Sequence, residues 1–208
     1  MTIVSLKNGT QYGAEHSKVE FSDGTSLYIK DCYLNGQFGS FKAGSEISYD
    51  EEEKLRFADA CFRAEQTGKR LIARAEQTEV GLSRKLQNRG HDSACVSVVM
   101  ARFIINDLVN DERYAERWLR FRLKSGRVSG PRQLFFALGN RGLSRESIKK
   151  AFDKALDEET EFTLLQRFLV KKHSRAKSGA YSLRGRLRYE GFSSIVINRY
   201  FDEANSIF

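Results

Sequence analysis

A single proline, Pro131, occurs in 208 residues, so almost nothing in the chain obliges a helix to end. Apolar runs are short as well. None approaches the roughly 18 to 20 residues that cross a bilayer, which argues against a membrane-spanning helix. The opening Met1-Thr2-Ile3-Val4-Ser5-Leu6-Lys7 lacks the charged and apolar regions of a signal peptide, and a cytoplasmic location is expected. Cysteines number three, Cys32, Cys61 and Cys95, an odd count without CxxC spacing, and are read as reduced, mostly packed thiols. His91 and Cys95 stand four apart, a spacing compatible with a shared metal, but no second pair of ligands is near in sequence and no metal site is expected. Catalytic signatures are missing too: there is no GxSxG, P-loop, HExxH or GxGxxG. His16, His91 and His173 are scattered without an obvious nucleophile or carboxylate partner. The expectation is a binding protein, not an enzyme, with no cofactor.

Positive charge, in contrast, is plentiful. The formal net charge is +8, and it is spread unevenly: residues 1–50 hold four Lys/Arg and six Asp/Glu, whereas the rest hold 31 and 21. A surplus of that size is a statement about partners rather than fold, and a polyanion is the obvious candidate. Basic surfaces also occur on proteins that bind nothing anionic, so charge alone does not decide.

From Ile3 to Tyr49 short β-type runs alternate with turn residues. Asn8-Gly9 and Asp23-Gly24 are suited to two-residue hairpin turns because they accept positive φ at low cost. Val19-Glu20-Phe21 and Leu27-Tyr28-Ile29 alternate as a half-buried hairpin should, and Lys42 to Ile47 is expected to turn into a short strand. Asp50-Glu51-Glu52-Glu53 then places acids where a helix dipole is positive, so helix is predicted from about residue 51.

The remainder repeats itself. Leu82-x3-Leu86-x3-Gly90, Leu134-x3-Leu138-x3-Gly142 and Leu183-x3-Leu187-x3-Gly191 superpose without a gap, with glycines 52 and 49 residues apart. Leucines four apart stack on one helix face, and a glycine four later suits the left-handed position just past a helix end. The residue after that glycine should then meet the second leucine: Leu143 with Leu138, Phe192 with Leu187, while His91 weakens the contact in the first copy. Asp92, Ser144 and Ser193 follow as N-cap residues, and apolar residues recur at Val96, Ile148 and Ile197 and at Met100, Phe152 and Phe201. A further helix precedes each unit: Asp111 to about Ser125 in the middle copy, Phe162 to about His173 in the last. In the first it falls within Lys54 to Gln77, where Gly68 blurs the boundary. Gly130-Pro131 suits a helix start with proline at its first position. The fold expected is mainly α, tandem three-helix, helix-turn-helix-like repeats in an elongated array behind a small N-terminal β module. Its boundaries fall at 1–50, 51–108, 109–157 and 158–208.

Binding chemistry is clearest on the middle helix. At 100° per residue Arg113, Arg117, Arg120 and Lys124 share one face beside an aromatic stripe of Tyr114, Trp118 and Phe121, which is read as core rather than as a base-stacking platform. Paired with Glu112 and Glu116, the cationic stripe would be plain solvated surface. Basic residues recur on the other units, however: Arg84, Lys85 and Arg89; Arg132, Arg141 and Arg145; Lys149, Lys150 and Lys154; Lys171, Lys172, Arg175 and Lys177; Arg184, Arg186 and Arg188. The candidate partner or nucleic-acid contacts are Arg113, Arg117, Arg120, Lys124, Arg132, Arg141, Lys149, Lys150, Lys171, Lys172, Arg175, Arg184 and Arg186.

In its motifs the chain resembles the RecX family, modulators of the RecA recombinase. The likeness rests on Thr78-x3-Leu82-x3-Leu86-x3-Gly90, Asn110-Asp111-Glu112-Arg113-Tyr114-Ala115, Gly130-Pro131-x2-Leu134-x3-Leu138-x3-Gly142 and Leu183-x3-Leu187-x3-Gly191-Phe192. The β module, Phe21 to Thr25 through Gly44 to Ile47, is similar to the N-terminal extension of part of that family. Departures are His91, where an apolar residue is usual, and Gly68. The resemblance implies a monomer that lies in the groove of the RecA filament on single- or double-stranded DNA and restrains its growth, ATP turnover, strand exchange and co-protease role in DNA repair and the SOS response. It implies no cofactor and no active site. Two other readings are a helix-turn-helix regulator that binds DNA directly and a protein-interaction scaffold without nucleic acid.

Overall fold

The computed structural model describes residues 1–11, 14–173 and 183–205, and divides into two compact units. The first comprises Met1–Glu76 with Leu82–Val109, the second Gln77–Gly81 with Asn110–Phe208.

The first unit opens with an antiparallel sheet in the order β1 (Ile3–Gln11), β2 (Ala14–Phe21), β3 (Ser26–Ile29). Asp23-Gly24 forms the β2–β3 turn as expected: Gly24 takes φ 84, and the Asp23 carboxylate accepts from the Thr25 N–H and hydroxyl at 2.9 and 2.8 Å. Asn8-Gly9 does not turn. Both residues lie inside β1, paired with Ser17 and His16. The Asn8 amide oxygen accepts from Ser17 Oγ at 2.8 Å, and the His16 ring lies at ordinary van der Waals distance from where a Cβ on Gly9 would sit; cross-strand pairing outweighs local turn preference. The segment ending at Ile47 makes a single bridge, Glu46 to Thr2, rather than a strand.

Three helices complete this unit: α1 (Tyr49–Arg74), the part of α2 (Glu79–Gln87) from Leu82 onward, and α3 (Ser93–Ile105). A capping box starts α1, with Ser48 Oγ accepting from Glu51 N–H and the Glu51 carboxylate accepting from Ser48 N–H. Gly68 does not end the helix. It is a buried notch into which the Phe103 ring of α3 packs, where any Cβ would collide. Sheet and helices share one core, with Val19, Phe21, Leu27 and Ile29 joining Leu55, Cys61, Phe62, Leu82, Leu86 and Phe103.

The second unit holds α4 (Asp111–Lys124), α5 (Pro131–Gly139), α6 (Arg145–Ala155), α7 (Glu158–His173), α8 (Leu183–Tyr189) and α9 (Ser194–Asn205). Leu119, Leu134, Leu138, Ile148, Leu165, Phe168, Leu187 and Ile197 form its core. Caps appear where the sequence places them: Asp92, Ser144 and Ser193 accept from backbone N–H groups at 2.8, 3.0 and 3.3 Å.

The repeated turn has the geometry its glycine demands. Gly90, Gly142 and Gly191 take φ 83, 88 and 91. Their N–H groups donate to Gln87, Gly139 and Arg188 carbonyls at 2.9, 2.9 and 3.0 Å, and those of His91 and Phe192 to Leu86 and Leu187 at 3.3 and 3.1 Å. The His91 imidazole lies 3.1 Å from Thr67 Oγ1.

Within the second unit two of these turns receive a helix start. Thr78 Oγ1 donates to the Arg141 carbonyl at 3.0 Å, and a Cβ on Gly142 would sit 2.5 Å from Val80. Likewise Arg132 N–H donates to the Glu190 carbonyl at 2.9 Å, and a Cβ on Gly191 would sit 2.8 Å from Arg132 N. Thr78 and Gly130 each precede the first leucine of their unit by four residues, so the same docking is made twice.

Candidate nucleic-acid and partner interface

Charge separates with the fold. The first unit carries 14 Lys/Arg and 14 Asp/Glu, the second 21 and 13, so the whole surplus of +8 belongs to the second. All of the candidate cations belong to that unit.

On α4, Ala115 and Leu119 are buried and set the core direction. At 100° per residue the Arg113, Arg117, Arg120, Lys124 stripe points roughly 150° away from it. Arg117, Arg120 and Lys124 are exposed, and Arg113 is half-buried. Arg120 pairs with Glu116 at 2.8 Å. Of the aromatic stripe, Tyr114 and Trp118 pack against the core, but Phe121 is 70% exposed and is not core. It is turned roughly 140° from the buried pair, too far round to reach the interior.

The other candidates sort by what holds them. On α6, Lys150 bridges Glu112 at 2.7 Å and Glu146 at 3.1 Å, contacts that raise its own pKa and, with Lys150 first among the causes, hold the Glu112 carboxyl below its usual range. Lys149, on the same helix, is exposed. The Arg141 guanidinium lies 4.8 Å from the Trp118 ring centroid, Arg132 4.4 Å from Tyr189, and Arg184 4.4 Å from Phe201. Arg184 also donates to Asn198 Oδ1 at 3.2 Å. Lys171 donates to the Gly126 carbonyl, closing the chain leaving α4. Arg186 is half-buried on α8. The Lys172 side chain and Arg175 lie outside the described residues.

A groove of about 470 Å³ brings Arg120 and Lys124 together with Lys154 and Arg167. Arg167 was not among the sequence candidates, since it stands in an apolar stretch with no local charge pattern. Its guanidinium donates to the Leu123 and Ser125 carbonyls at 2.5 and 2.6 Å and so fixes the end of α4 rather than waiting for a ligand. Asp157 and Glu159 on the same wall temper the groove's positive charge. Among the described residues no group of three potential metal ligands converges, and no helix is long and apolar enough to cross a membrane.

A regulatory protein RecX from Treponema pallidum is 34% identical over 156 residues, 75% of this chain and 94% of the relative. The chain belongs to the RecX family. A Pseudomonas fluorescens regulatory protein RecX is 30% identical, over 68% of this chain and 91% of its own length. A crystal structure of a regulatory protein RecX shares the fold over 97% of this chain and 98% of its own, with a TM-score of 0.75 at 18% identity. RecX from Lactobacillus salivarius superposes at 0.56 over 71% of this chain. A scan of protein-family models gave no match. The RecX relatives are named regulatory proteins, and the mainly helical repeat architecture is shared with the RecX crystal structure that aligns over nearly the whole chain.

Proposed function

We infer that this protein regulates a RecA-type recombinase by binding the recombinase–DNA filament in its groove, lowering ATP turnover, strand exchange and co-protease activity and thereby controlling DNA repair and recombination. Membership of the RecX family carries the reading. The concentration of all formal surplus charge in the second unit supports a polyanionic surface as part of what it meets. In this reading the protein acts as a cytoplasmic monomer, and the cations of α4, α5, α6, α7 and α8 divide between DNA phosphates and acidic patches of the recombinase.

A direct helix-turn-helix DNA reader would need cations at the start of the second helix of a pair. Of the three such helices, α3 starts Ser93-Ala94-Cys95 and α9 Ser194-Ile195-Val196, both without charge, and only α6 begins with an arginine, Arg145. The test is a titration of this protein into a RecA-type recombinase on single-stranded DNA. ATP hydrolysis should fall at substoichiometric to equimolar ratios, and unchanged ATPase and strand exchange across that range would overturn the reading.

A further inference from the structure

Aromatic side chains are normally spent on the core, yet the second unit leaves two of them in solvent beside an arginine. Phe136 on α5 is 56% exposed and Tyr189 at the end of α8 is 68% exposed. Between them stands Arg132, its guanidinium 4.4 Å from the Tyr189 ring centroid and 5.6 Å from that of Phe136. Its position is fixed from behind, by its N–H on the Glu190 carbonyl at 2.9 Å and by a guanidinium hydrogen bond to the Tyr189 carbonyl at 3.4 Å. Next to this ring–guanidinium–ring stack lies an apolar groove of about 450 Å³, where Phe135 and Phe152 pack with centroids 6.0 Å apart and Arg145 stands at the rim. Among the described residues neither Arg132 nor Arg145 has a carboxylate partner.

We propose that this patch is a base-stacking site for single-stranded nucleic acid, with nucleobases laid on Phe136, Tyr189 and the groove floor and the Arg132 and Arg145 guanidiniums on the flanking phosphates. The proposal rests on the reading of the second unit as nucleic-acid-associated and names the contact it makes. Three observations favour a strand over a peptide. The unit's surplus of +8 matches a polyanion. Flat exposed rings and a guanidinium plane offer π faces that every base can use. The groove walls, apart from the two arginines, are Pro131, Gly191 and phenylalanines, which give a peptide backbone no side-chain partner for its N–H and C=O groups.

The experiment uses the full chain without recombinase, so its failure is distinct from failure of the regulatory reading. Fluorescence anisotropy compares a labelled oligothymidylate of about 20 nucleotides with an abasic strand of equal length. The intact protein should bind the oligothymidylate at least roughly 5-fold tighter. Phe136→Ala and Tyr189→Ala, both at exposed positions and checked for unchanged circular dichroism, should each lose roughly 5-fold or more on that strand and nothing on the abasic one. Equal affinity of the intact protein for both strands would overturn the proposal, as would variants that bind oligothymidylate like the parent. Variants that keep full affinity but no longer restrain the recombinase ATPase would also overturn it, and would give the groove to an apolar segment of the protein partner.

Discussion

Glu65 shows what a single buried charge asks of its surroundings. It is 4% exposed in the first unit's core, where an unpaired carboxylate would be very costly. Lys30 and Lys69 donate to its Oε1 at 2.8 and 2.7 Å, and the Tyr33 hydroxyl to its Oε2 at 2.8 Å. Burial alone would raise the pKa of Glu65; the three donors outweigh it and hold the carboxyl below its usual value. Tyr33 answers in the opposite direction, its phenol pushed well above the ordinary range first by burial and then by the carboxylate. A carboxyl depressed in the folded state stabilises the fold above its unfolded pKa and loses that contribution as pH falls through the folded value. Glu65→Gln should therefore cost about 1–3 kcal/mol near neutrality. Thermal melts should show the gap between parent and variant closing as pH drops from about 7 to about 3. A gap of constant size over that range would remove Glu65 as an acid-sensitive tie.

At the scale of elements, three copies of one turn provide their own control. Gly90 and Gly142 have nearly the same φ, 83 and 88, but a Cβ on Gly90 meets nothing within 4 Å whereas one on Gly142 would lie 2.5 Å from Val80. Gly90→Ala should cost only the left-handed backbone penalty, about 1–2 kcal/mol. Gly142→Ala should add an overpacking cost of about 1–3 kcal/mol because the docked helix start must move. Denaturant unfolding of the two variants checks this, and equal losses would mean that the Val80 contact is not kept in solution. The same turn explains what was legible in advance. Leucines four apart, the glycine stop and the Asp or Ser cap are bonded within a few residues, so their spacing carries them. Gly9, Gly68 and Phe121 went the other way for one reason: each depends on a partner remote in sequence or on the width of a buried face. Gly9 lies opposite His16 across the sheet, Gly68 under Phe103 of α3, and Phe121 beyond the edge of the α4 stripe that the core covers. The exposed Phe136–Arg132–Tyr189 stack was invisible for the same reason, since its two rings come from helices 53 residues apart in sequence.

For the molecule as a whole, a sequence cut at residue 50 puts the basic surplus in everything that follows. The folded division moves that line: residues 51–76 and 82–109 join the sheet in a unit of zero net charge, and the surplus retreats to the second unit. Nothing in the local pattern announces this, because the core that binds α1 and α3 to the sheet is built from contacts such as Tyr28 N–H on Asp59 at 2.8 Å, 31 residues apart. The partition makes a sharp statement about DNA. If phosphates are met by the second unit, removing its free cations lowers the number of counterions released, and the slope of log affinity against log salt shrinks by about 0.7–0.9 per lost contact. Lys124→Gln with Lys149→Gln should do so, since both side chains are exposed and without an ion pair among the described residues. Arg70→Gln with Arg74→Gln, equally exposed on α1 and without an ion pair among the described residues, should leave the slope unchanged. Anisotropy titrations between about 50 and about 200 mM salt measure both pairs side by side. A slope that shrinks for the α1 pair and not for the other would move the nucleic-acid surface to the neutral unit, and with it the argument that net charge marks where this protein meets DNA.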